Sequence, residues 1–113
     1  MALRNNKPVG VMLGDNWTAE TVQTHVGVTD PLVFKHGLHK EFANWVFGVC
    51  GRSAMLGFVP ASNEKAIKID KHFGFKEEYR IKDGYKKGVD VIIFRLDWYD
   101  CPYYEAEKFR KVA

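Results

Sequence analysis

The feature that most constrains this chain is a helix with both of its ends written into the sequence. Residues 61–75 read ASNEKAIKIDKHFGF. Ser62 or Asn63 is placed to cap the first turn, which carries Glu64, where a negative charge opposes the positive end of the helix dipole. Ala66, Ile69 and Phe73 fall on one apolar face, and Gly74 stands where a left-handed residue ends a helix without a Cβ penalty. The spacing predicts a helix over 63–73, with Phe75 entering the next strand. Asp70, in the middle of this helix, has no evident structural purpose.

The flanking segments carry the other periodicities. AMLGFVP (54–60) is a short, almost wholly apolar run of buried-strand type, stopped by Pro60. FKEEYRI (75–81) and VDVIIFRLDW (89–98) flank KDGYKKG and predict a long hairpin. Toward the N-terminus, KPVGVML (7–13) follows Asn5–Asn6 as the second strand of a hairpin whose first strand is the stub 1–4. TVQTHVGV (21–28) alternates strictly, with Val22, Thr24, Val26 and Val28 on one side and Thr21, Gln23, His25 and Gly27 on the other. After Pro31 a helical period takes over. Leu38, Phe42, Trp45, Val46 and Val49 share one face of a helix over 37–50, and Phe42 and Trp45 are expected in the core. A short amphipathic helix is expected from Glu105.

The element order is therefore β-β-β-α-β-α-β-β, an α/β (α+β) mixed sheet with two helices packed on it. At 113 residues the chain suits one domain, with its core over 7–97 and a tail over 98–113. No apolar run approaches the roughly 20 residues of a membrane helix, and the N-terminus lacks the pattern of a signal peptide, so a cytoplasmic protein is expected. Cys50 and Cys101 are widely spaced and read as reduced thiols. His36 and His39 supply two ligands with nothing adjacent to complete four, so no metal site is expected. The net charge of +3 is modest and its lysines are not interleaved with an aromatic motif, which argues against nucleic acid. Lys65, Lys68, Lys71, Lys76, Lys86 and Lys87 form either a solvated face or an attraction for a phosphate-bearing ligand.

Val59, Asn63, Ala66, Gly74 and Phe75, with a hairpin after them, resemble the C-terminal half of the GCN5-related N-acetyltransferase (GNAT) superfamily. The resemblance runs backwards as well. The strand ending at Val28, the loop at Pro31 and the helix from Gly37 stand where that family has its central strand, pyrophosphate loop and cofactor helix. The family's first strand and the helices after it have no counterpart, which implies a shortened member or a trimmed N-terminus.

The resemblance implies an acyl-CoA-dependent N-acetyltransferase acting on an amine, small-molecule or protein, with acetyl-CoA as cofactor. It places Val26 and Val28 at the oxyanion and pantetheine edge, and Gly37 and Asn63 in the cofactor site. In FKHGLH (34–39), Phe34 and His39 replace the family's usual residues, and Lys35, His36 and His39 are the side chains left to meet the phosphates. His25, titrating near neutrality on the polar side of its strand, is the candidate base, or else an ordinary hydrogen-bonded strand histidine. The family's usual acid, a Tyr seven residues after the Asn, is here Asp70, a poor acid at neutral pH. Either Asp70 marks a surface position of a catalytically silent fold, or the acid lies elsewhere, at Tyr79 or Tyr85. Residues 20–97 also resemble short GNAT-like proteins of tailed bacteriophages, some of them internal virion proteins. The second functional reading is thus a non-catalytic virion-associated or interaction module, with phage or host protein partners, in the host cytoplasm or the virion.

Overall fold

The computed structural model describes residues 2–4, 7–28 and 37–105. Its elements are strands β1 (Ala2–Arg4), β2 (Lys7–Asp15) and β3 (Thr21–Val28), helix α1 (Leu38–Ala43), strand β4 (Ala54–Pro60), helix α2 (Glu64–His72), and strands β5 (Lys76–Lys86) and β6 (Val89–Asp97). Helix α1 runs directly into a π-helical segment, Asn44–Val49, and a 3₁₀ turn follows β6 at Trp98–Asp100. The expected order of elements stands. The expected helix from Glu105 lies outside the described residues. Among the described residues, no helix is long and apolar enough to cross a membrane.

The six strands form one mixed sheet in the order β1-β2-β3-β4-β6-β5. All neighbours are antiparallel except β3 and β4, whose parallel ladder holds only Thr21/Ala54, Val22/Met55 and Gln23/Leu56. Residues opposed across a ladder share a face of the sheet. One face carries Met12, Val22, Met55, Val59, Ile92, Phe94 and Leu96, all buried, and both helices cover it with Phe42, Ala43, Val46, Phe47 and Phe73. Ala66, Ile67 and Ile69 of α2 pack against this core while remaining partly exposed. The other face presents Leu13, Phe58, Tyr79 and Ile81, all exposed.

Helix α2 ends as its sequence requires. The Asn63 side chain accepts the Ala66 N–H at 3.1 Å, satisfying one orphan donor of the first turn. At the other end Gly74 has φ +95° and donates its N–H to Lys71, while Phe75 donates to the Asp70 carbonyl at 3.0 Å. This paired closure is the Schellman arrangement, and it pins the backbone of Asp70.

The first helix departs from its 3.6-residue period. Cys50 donates to the Trp45 carbonyl, five residues back, so the turn over 44–49 is wider than an α turn. The extra residue per turn rotates the face. Phe47 enters the core completely, whereas Trp45 is 44% exposed and Val49 71% exposed, which corrects the expectation of Trp45 in the core and of Val49 on the same apolar face. Phe42 is buried as expected. Trp45 rests edge-on against Trp17, with centroids 5.5 Å apart. Strand β5 also extends beyond 81, through most of what reads as turn sequence, to close at Lys87–Gly88.

Candidate functional site

The short β3/β4 ladder builds the site. Beyond Gln23 and Leu56 the two strands part, and the Thr24 hydroxyl donates to the Leu56 carbonyl at 3.0 Å where the ladder stops. β3 stays paired with β2 to Val28, and β4 stays paired with β6 to Pro60, so each strand is held rigidly from its outer side. The facing edges of residues 25–28 and 57–60 make no ladder with each other. Between them lies a cleft of about 200 Å³, walled by residues 24–26, residues 57–59, and Ala66, Ile69 and Asp70 of α2.

Asp70 reaches this cleft because nothing stands in its way on β4. A Cβ built on Gly57 would lie 2.8 Å from Asp70 Oδ2, closer than real Cβ contacts come. The carboxyl therefore lies directly over the Gly57 backbone, on the helix-covered face. Burial pushes its pKa up from 3.8 to about 6. Asp70 is thus not a surface position, which corrects that sequence expectation.

His25 approaches the split from the other face. Its Nε2 is 2.8 Å from Asp15 Oδ1, and both side chains are about half exposed. An ionised carboxylate only accepts, so Nε2 carries the hydrogen and the Nδ1 of the neutral ring carries the lone pair. Thr24 and Val26, one residue to either side, face the core side instead. The opening between β3 and β4 therefore joins an Asp on one face of the sheet to a His–Asp pair on the other.

The remaining sequence candidates are dispersed. Val26 lines the cleft and Val28 ends β3 opposite Gly10. Gly37, at φ +88°, precedes α1 and accepts the Glu41 N–H at 2.9 Å. Lys35 and His36 lie outside the described residues. The His39 ring stacks on Phe73 at 5.2 Å and meets Tyr103 edge-on at 4.7 Å. Burial, with His72 nearby, lowers its pKa, so this ring is a neutral packing element between the helices. Asn63 acts as the cap of α2 and does not wall the cleft. Tyr79 is 65% exposed on β5 beside Ile93, and Tyr85 is exposed in the same hairpin; neither walls the cleft. Among the described residues, no group of three His, Cys, Asp or Glu side chains is placed to hold a metal.

Thr24 and Gly57 are site residues that sequence reasoning missed. Gly57 had a signal, being the one residue without a side chain inside the apolar run of β4. Tyr103 was missed too. Its hydroxyl donates to the Phe73 carbonyl at 3.1 Å, and burial, together with Cys101 and Asp70, drives its pKa far up, so it supports α2 as a neutral phenol.

No protein-family model matches the chain, and no curated protein matches it in sequence. Solved structures do match in shape. A protein from Desulfovibrio desulfuricans assigned to the GNAT acetyltransferases superposes with a TM-score of 0.71 at 18% identity, over 85% of this chain and 65% of that one. The chain has the GNAT fold. An N-acetyltransferase from Staphylococcus aureus gives 0.69 at 17% identity, over 85% and 64%. A Salmonella typhimurium protein of the same fold, solved with acetyl-CoA, gives 0.65 at 18% identity, over 83% and 60%. The chain thus spans between 60 and 65% of the length of these GNAT-fold structures.

Proposed function

We propose that the chain binds acetyl-CoA in the split between β3 and β4 and transfers the acetyl group to a primary amine. The observation that carries this reading is the parallel ladder that stops after three residue pairs and opens into a cleft. Strand edges left unpaired this way offer N–H and C=O groups at intervals that suit an amide-bearing chain laid in as an extra strand. The pantetheine arm of coenzyme A is such a chain. The cleft walls, chiefly Val26, Phe58, Val59, Ala66 and Ile69, exclude water from it. When bound, acetyl-CoA would supply a thioester whose carbonyl an amine attacks, the C–S bond breaking so that coenzyme A leaves as its thiolate.

The residues of this chain then divide the work. His25 Nδ1, held in its tautomer by Asp15, takes the proton the amine must lose. The backbone over Val26–Val28, made rigid by its ladder to β2, holds the edge against which the acyl group is positioned. Gly37 lets the chain turn closely into α1, where Lys35, His36 and His39 are the residues proposed at the phosphates; of these, His39 has its ring committed to Phe73 and Tyr103. That commitment favours a second reading, a scaffold that has lost its chemistry and serves as an interaction module, with a phage or host protein as partner.

Calorimetric titration with acetyl-CoA, followed by mass spectrometry of a panel of primary amines, separates the two. Micromolar binding and an acetylated amine support the transferase. No heat at millimolar acetyl-CoA leaves the interaction module.

A further inference from the structure

Asp70 is a carboxylate in an unusual position. It projects from α2 into a cleft walled by the apolar side chains of Val26, Phe58, Val59, Ala66 and Ile69 together with Thr24, His25 and strand-edge backbone, and its Oδ2 lies directly over the Gly57 backbone. Among the described residues its carboxylate has no ion pair and no hydrogen bond, and burial alone accounts for its raised pKa. The titratable groups around it are His25 across the split and Tyr103 beyond the helix end, and Tyr103 stays neutral. Among the described residues, no lysine or arginine walls the cleft.

An ionised carboxylate partly withdrawn from water without a counter-charge is an incomplete arrangement, and a cation entering the cleft completes it. A divalent metal is a poor candidate, because it needs several oxygen ligands and one carboxylate supplies two. A guanidinium forks across both carboxylate oxygens in one plane, and here Oδ2 lies over the Gly57 backbone. A primary ammonium on an alkyl stem fits both parts. The head meets Asp70 over Gly57, and the alkyl stem asks for no polar partner of its own. We infer that Asp70 is the recognition residue for a protonated primary amine, which enters the cleft over Gly57. The identity of that amine as the acetyl acceptor rests on the transferase reading, whereas its capture by Asp70 does not.

The test uses the full chain without cofactor, and n-butylamine and n-butanol as probes. These share a stem and differ in charge. In amide NMR titrations at pH 7.5, n-butylamine is expected to shift residues 24–26, 57–59 and 66–70 and to bind about tenfold or more tightly than n-butanol. Asp70→Asn abolishes that preference. With Asp70 ionised in about nine tenths of molecules at pH 7 and about one tenth at pH 5, the amine binds about tenfold more weakly at pH 5. Carbon-detected titration of Asp70 in the unmutated protein provides a readout that no variant has to fold for. Saturating amine should pull the carboxyl pKa below its free value of about 6. Equal affinities for the two probes, the same preference in Asp70→Asn, or an unmoved Asp70 titration each overturns the inference. Failure to bind acetyl-CoA with the amine preference intact overturns the transferase reading alone.

Discussion

Asp70→Asn should make the protein more stable at neutral pH, and the gain can be worked from its surroundings. The carboxyl titrates at 3.8 when exposed and at about 6 in the fold, because burial penalises the charged form. A group whose pKa is raised on folding stabilises the fold when protonated, fully below about pH 4, and that contribution is lost as the pH rises through 6. The two values correspond to about 3 kcal/mol at full effect. Solvent reaches the carboxylate through the cleft mouth and screens it, so about 1.5 to 2 kcal/mol is expected. An amide of the same shape carries no such penalty. In urea unfolding at pH 7.5, Asp70→Asn should therefore exceed the unmutated protein by about 1.5 to 2 kcal/mol, with an unchanged m value. At pH 4 the two should converge, and comparing variants at each pH cancels every other titrating group. A variant that is less stable at pH 7.5, or whose advantage is the same at pH 4, refutes the placement of Asp70 in a desolvated, unpaired site.

Four further outcomes are expected. Phe47→Ala should cost about 3 to 5 kcal/mol in the same assay, since the ring is fully enclosed, whereas Trp45→Ala should cost no more than about 2 because the indole is nearly half exposed; the reverse order would mean the segment over 44–49 is an ordinary α turn. Gly74→Ala should lower stability by about 1 to 2 kcal/mol through its left-handed backbone, with Gly74→Asn costing less. If an amine is acetylated, His25→Gln should lower kcat/KM about 100-fold or more. Asp15→Asn, which leaves the imidazole free to adopt the other tautomer, should lower it about tenfold.

The parts of the fold legible in the sequence were those fixed within a few residues. The caps of α2 follow from Asn63 and Gly74 whatever surrounds them, and the alternation over 21–28 assigns faces to β3 without knowledge of its neighbours. The first helix failed where a local rule met a tertiary one. Its apolar residues satisfy a 3.6 period through Leu38, Phe42, Trp45, Val46 and Val49, yet the core takes Phe47 beside Val46 and leaves Trp45 and Val49 exposed, and the chain widens one turn to deliver that pair. No period count distinguishes those two solutions, because the π turn is selected by what the sheet below can accept.

The site divides along the same line. His25 and Val26 were identifiable because their chemistry sits on a strand whose direction could be inferred. The cleft was not, since it exists only where two strands distant in sequence stop pairing, and the residues that make it, Thr24 and Gly57, carry no chemistry of their own. Asp70 is the instructive case. Measured against a family pattern it looks like a lost catalytic group, and a polar residue in an exposed helix draws no further notice. Yet Ala66, Ile69, Asp70 and Phe73 stand at i, i+3, i+4 and i+7, so the carboxylate lies on the apolar stripe itself rather than on the lysine-bearing side. A charge on the buried stripe of an amphipathic helix must be accommodated by something opposite it. Here the sheet answers with a glycine and an opening rather than with a cation, and that leaves the counter-charge to a ligand.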